Sequence, residues 1–135
     1  MKRLSECMKD CSRVTDLSPV LLMVMCDVIA WALDKQIPVK ITDSITSPKE
    51  DESLNRVSST HRECRAFDVS ARGWTKDQID ECVRVFSMKY RYLAALGSDG
   101  NPRLVYVHDA GTGNHLHFQI HRRYALPVKE YLVNE

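Results

Sequence analysis

The chain carries no surplus of either charge. Lys and Arg total 19 against 18 Asp and Glu, a formal net charge of +1, so the broad basic footprint that holds nucleic acid or an anionic lipid surface is missing. Nucleic acid is therefore not an expected partner. Nor is there an apolar run of membrane length: the stretch from Val20 to Leu33 ends after 14 residues and holds Asp27 near its middle, where a spanning helix needs about 20. No membrane span is expected. The five cysteines, at positions 7, 11, 26, 64 and 82, form neither an even framework nor a CxxC pair, which argues against a secreted disulfide scaffold and for free thiols in a reducing compartment. Cys7 and Cys11 are one helical turn apart and are assigned no metal role. Internal repeats, low-complexity tracts, Gly-rich phosphate loops and a Ser-His-Asp arrangement are also missing.

What is present is an ordinary folded composition. Of 135 residues, 44% are apolar and 27% charged, close to globular averages, so a single domain over residues 1–135, acting as a monomer, is expected. Lys2 and Arg3 precede an apolar run containing Ala30-Trp31-Ala32, but Glu6, Asp10 and Asp16 interrupt the basic leader a signal peptide would need. Synthesis in a cytoplasm without a signal peptide is the expectation.

Ser18 followed by Pro19 is a helix start, and apolar residues on nearly every face to about Gln36 predict a helix inside the fold. Ile37 to Ile41 alternates around Pro38 and predicts a short edge strand, because proline cannot donate to a ladder. The polar stretch from Thr42 to Thr60 reads as one long loop, and loops of that length tend to be functional. Arg65 to Ala71 alternates again, with Phe67 and Val69 on one face and Ala66, Asp68 and Ser70 on the other. Thr75 and Gln78 form a capping-box signature ahead of Ile79, Cys82, Val83, Phe86 and Tyr90 at helical spacing. After the turn cluster Gly97 to Pro102, the segments 104–109 and 115–121 predict two strands joined by a five-residue loop. The fold class is α+β: a small antiparallel sheet packed against two main helices.

In the last strand Leu116, Phe118 and Ile120 face one way and His115, His117, Gln119 and His121 the other. Exposed strand histidines are common, so His-x-His alone says little. His61 in a loop and Asp68 seven residues later on a strand face add an imidazole and a carboxylate that can converge with them on one cation. Two His and one Asp leave a fourth position open, the ligand count of catalytic rather than structural zinc.

The segment Ser59-Thr-His61-Arg-Glu-Cys64-Arg-Ala66-Phe-Asp68 resembles the Ser-x-His-x-x-Gly-x-Ala-x-Asp motif of the D-Ala-D-Ala carboxypeptidase and Hedgehog-like zinc peptidases, and His115-Leu-His117 resembles their closing His-x-His. The resemblance runs from about Val39 to Ile120. That family includes peptidoglycan-trimming enzymes and small phage endolysins. The resemblance implies His61, Asp68 and His117 as ligands of Zn2+ on the open sheet face, and Ser59 as a substrate-binding residue. The ending Gly113 to Phe118 is also similar to lysostaphin-type endopeptidases, whose first His and Asp stand closer together, so the spacing favours the carboxypeptidase branch.

Two departures matter. Cys64 stands where the family has glycine, either as a packed thiol or as a fourth, thiolate ligand that would close the zinc site. Asn114 and Gly111 occupy the positions three and six residues before the last histidine, where many relatives carry a catalytic carboxylate. His115 then becomes the leading catalytic candidate, with Asp109 beside it if the hairpin pairs 109 with 115; a slip of one residue would present His108 instead. The expected function is zinc-dependent hydrolysis of peptide bonds in peptidoglycan stem peptides, as an endolysin acting on the cell wall once released. The alternatives are a non-enzymatic zinc-binding module and a dipeptidase for D-amino-acid peptides.

Overall fold

The computed structural model describes residues 16–46, 48–55, 60–61, 63–109 and 113–127. Cys7, Cys11 and Ser59 lie outside the described residues. Among the described residues there are three α-helices, α1 (Pro19–Asp34), α2 (Pro48–Ser53) and α3 (Lys76–Lys89). The strands are β1 (Ile41–Asp43), β2 (Ala66–Ser70), β3 (Ala95–Leu96), β4 (Pro102–Arg103), β5 (Val105–Asp109) and β6 (Asn114–Gln119). β1, β2, β6 and β5 form a four-stranded antiparallel sheet in that order, and β3 with β4 makes a separate ribbon around the Gly97 to Pro102 turn. The fold is therefore the expected small α+β arrangement.

Helices α1 and α3 cover one face of the sheet. α1 buries Leu21, Val24, Met25, Val28, Ile29 and Ala32, a spacing of three and four that makes one stripe. Its opposite side is not buried: Met23 is 47% exposed and Cys26 is exposed. This corrects the expectation of a helix inside the fold, since apolar residues on nearly every face do not require neighbours on each of them. Pro19 stands in the first turn, but the Ser18 side chain makes no cap bond. α3 begins with the expected capping box: the Thr75 hydroxyl accepts from the Gln78 N–H while the Gln78 side chain accepts from the Thr75 N–H.

Between helices and sheet lies an aromatic stack. Phe67 and Phe118 sit directly opposite in the β2–β6 pair, with rings parallel and centroids 4.7 Å apart. Phe86 of α3 meets Phe118 edge-on at 6.1 Å, and Trp31 of α1 meets Phe86 edge-on at 5.8 Å. Side chains alternate across a strand. Burying Phe67, Val69, Leu116 and Phe118 against the helices therefore sends Asp68, Ser70, His115 and His117 to the other face.

Two segments differ from expectation. The edge strand starts at Ile41, where it was expected to end: residues 37–40 are held instead by burial of Ile37 and Val39, and by the Trp74 indole N–H donating to the Pro38 carbonyl. The stretch 42–60 is not a plain loop, because α2 forms at Pro48 with Glu50 and Asp51 in its first turn, where negative charge suits the helix dipole. Among the described residues no helix is long and apolar enough to cross a membrane.

Candidate metal centre

Three elements deliver the centre. β2 supplies Asp68, β6 supplies His117 at the position directly opposite it, and the turn before β2 supplies His61. That turn is closed by the Cys64 N–H donating to the His61 carbonyl at 3.1 Å and the Arg65 N–H donating to the Thr60 carbonyl at 3.1 Å. Cys64 has φ of +61°, in the left-handed region that glycine enters without strain. This backbone conformation accounts for the glycine of the motif. The Cys64 side chain is fully buried in the hydrophobic cluster and is not part of the metal-ligating group.

His61, Asp68 and His117 are each only 3–4% exposed. One nitrogen of each ring and one carboxylate oxygen all lie within 4.8 Å of one another. Asp68 divides its oxygens: Oδ1 is 2.8 Å from His117 Nδ1, and Oδ2 is 3.3 Å from His61 Nε2. Burial alone would raise the Asp68 pKa, but the hydrogen bonds and charges of the two imidazoles outweigh it and hold the carboxyl well below its usual range. It is a carboxylate at neutral pH.

The outward nitrogens also rest on oxygens. His61 Nδ1 lies 2.6 Å from the Ser44 carbonyl oxygen, which can only accept, so Nδ1 carries the hydrogen. His117 Nε2 lies 3.3 Å from Gln119 Oε1, whose orientation is set by the Gln119 amide N–H donating to the Arg103 carbonyl. The inward nitrogens, His61 Nε2 and His117 Nδ1, both face the Asp68 carboxylate, where either a proton or a bound cation can bridge nitrogen and oxygen. With a metal bound in place of those protons, each imidazole presents a lone pair inward and the cation offsets the buried carboxylate charge. Outer N–H groups anchored on oxygens are also the usual support for metal-bound histidines. The donor set of two imidazoles and one carboxylate fits a divalent transition metal.

Around the group, Tyr106, His108 and His115 are half-buried and share its face. Their register decides what the sequence left open: His108 pairs with His115 and Tyr106 with His117, while Asp109 pairs with Asn114. Asp109 therefore leaves its strand on the opposite face, is exposed, and accepts the Gly113 N–H. His108 takes the place considered for it, with its ring 5.8 Å from His117 and 6.2 Å from His115. Tyr106, 4.9 Å from the His117 ring, was not singled out from the sequence; only a known hairpin register would have found it. Burial, and then the Asp68 charge, raise its hydroxyl pKa, so it is a hydrogen-bond donor at neutral pH. His121 does not join the row, because β6 ends at Gln119 and the His121 ring accepts the Arg123 N–H.

Compared with protein-family models, curated proteins and solved structures, the chain matches none. The three residues that converge are those that the resemblance implied as metal ligands.

Proposed function

We propose that the protein is a zinc-dependent peptidase that hydrolyses peptide bonds in peptidoglycan stem peptides. The carrying observation is the buried His61, Asp68 and His117 group, whose ligand atoms lie within 4.8 Å of one another while the outward ring nitrogens rest on oxygens. Three protein ligands leave room for water and substrate, as a catalytic rather than structural zinc requires. Zinc held there would supply Lewis acidity toward a carbonyl and a water activated near neutral pH. The substrate class follows from the motif resemblance.

The surrounding side chains supply the remaining chemistry. His115 donates through Nδ1 to the Gly113 carbonyl at 2.9 Å, which leaves Nε2 to take a proton from the attacking water and return it to the leaving amine. The Tyr106 hydroxyl and the His108 ring line the same face, where a donor can stabilise negative charge developing on the carbonyl oxygen. Cys64, turned into the core, speaks against a closed four-ligand zinc module. The test is digestion of purified stem peptides and intact peptidoglycan with mass readout, using zinc-loaded protein, chelated protein and Asp68→Ala. Cleavage that needs zinc and is lost in the variant is expected. Intact stem peptides after incubation with zinc-loaded protein would overturn the proposal.

A further inference from the structure

A cavity of about 290 Å³ lies where β2 begins and β6 ends, lined by Arg65, Ala95, Leu96, His121 and Arg122. Arg65 stands two residues before Phe67 and accepts the N–H of the core residue Ile120 on its carbonyl, so its side chain leaves on the helix-covered side of the sheet, the face opposite Asp68. The cavity is therefore separate from the metal centre. The Arg65 side chain is 11% exposed and already held: Nε donates to Glu63 Oε1 at 3.0 Å and Nη1 to the Ile120 carbonyl at 3.0 Å. Those bonds fix the direction of the guanidinium fork and leave the Nη2 hydrogens to donate. Glu63 offsets this guanidinium charge, but no carboxylate lines the cavity itself. Arg122 is exposed and forms no ion pair among the described residues. His121 Nδ1 accepts the Arg123 N–H at 3.1 Å, so in the neutral ring the hydrogen sits on Nε2, a further donor.

We infer that this cavity binds a phosphate group, held by the fixed fork of Arg65, the charge of Arg122 and the His121 Nε2–H. Three donor side chains from two segments of the chain approach from different directions, which a tetrahedral oxyanion answers with a separate oxygen for each and a planar carboxylate does not. The phosphate is the free ion or an ester, whose carbon skeleton would pack on Ala95 and on Leu96, itself 55% exposed. One unpaired guanidinium beside a prefixed one makes a local anion site without the broad basic surplus that a net charge of +1 denies the chain. The site does not depend on the peptidase reading above.

The probes are inorganic phosphate, methyl phosphate and acetate, each titrated into isotopically labelled protein and followed by amide and arginine Nε–H chemical shifts, with sodium chloride at matched ionic strength as the reference. Wild type, Arg122→Gln and Arg122→Lys are compared, as purified and after chelation of any metal. Arg122 is exposed, so both variants are expected to fold, and their spectra report that directly. Phosphate should shift the Arg65 Nε–H and the amides of Leu96, His121 and Arg122 saturably, with a dissociation constant of about 1 mM, and should bind Arg122→Gln about fivefold more weakly. Arg122→Lys, which keeps the charge, should recover most of that loss, and chelation should change none of these values. Methyl phosphate binding as tightly as phosphate identifies an ester as the ligand, and a much weaker ester identifies the free ion. Equal affinity of wild type and Arg122→Gln, acetate binding as tightly as phosphate, or shifts no larger than those with chloride would each overturn the site. Shifts confined to the amides around Asp68 and His117 would place the anion at the metal centre and overturn it as well.

Discussion

Replacing Cys64 separates backbone strain from side-chain burial at the turn that carries His61. The residue has φ of +61° and is fully buried. Cys64→Ala removes the thiol and keeps the left-handed strain, and losing one buried group of that size costs about 1 kcal/mol, with a small cavity term added. Cys64→Gly loses a further Cβ, about 0.8 kcal/mol, but relieves the left-handed penalty of about 1 kcal/mol. The two variants should therefore lie within about 0.5 kcal/mol of each other, both about 1.5 kcal/mol below the wild type. At a right-handed buried position glycine would instead fall about 1.5 kcal/mol below alanine, from the Cβ and chain entropy together. Urea unfolding of the three proteins at fixed zinc measures this, and the common loss corresponds to a melting shift of about 5 °C. A glycine variant less stable than the alanine variant by 1.5 kcal/mol would refute the strain argument. Bound zinc should stay stoichiometric in both variants, with only nitrogen and oxygen neighbours by X-ray absorption; a sulfur shell near 2.3 Å would mean that Cys64 is a ligand after all.

The other predictions concern the site and the frame around it. Asp68→Ala and His117→Ala should each abolish tight binding of one zinc per chain in metal analysis, whereas His115→Ala should keep the metal and lower turnover by about 10²- to 10⁴-fold. Asp109→Asn should leave turnover within about twofold of wild type, because its side chain lies on the other sheet face; a loss as large as that of His115→Ala would reverse the assignment. Asp27 of α1 accepts from Lys89 and from the Tyr90 hydroxyl across to α3, and although burial raises its pKa, these bonds and the Lys89 charge bring it below the ordinary 3.8. Its contribution is complete above the unfolded value and fades as pH falls through the folded one, so Asp27→Asn should cost about 1 kcal/mol at pH 7 and progressively less below pH 4 in denaturant titrations. Thr75→Ala removes half of the capping box and should cost about 1 kcal/mol by the same assay.

The pattern of residues along the chain determined the main helices, the alternation of β2 and β6, and the sheet face that Asp68 and His117 share. These follow from local spacing: a period of two sends Asp68 and His117 away from Phe67 and Phe118, and Thr75 with Gln78 caps α3 whatever surrounds it. Helix α2 was hidden because a proline and five polar residues carry no apolar periodicity. The residues around the metal centre were decided by tertiary structure alone. Whether Asp109 or His108 stands beside His115 depends on the register of one hairpin, and a shift of one residue exchanges the faces of every side chain in β5. Likewise Cys64 points into the core and Arg65 and Arg122 meet at one cavity through the path of the backbone in three dimensions, which composition and spacing do not specify.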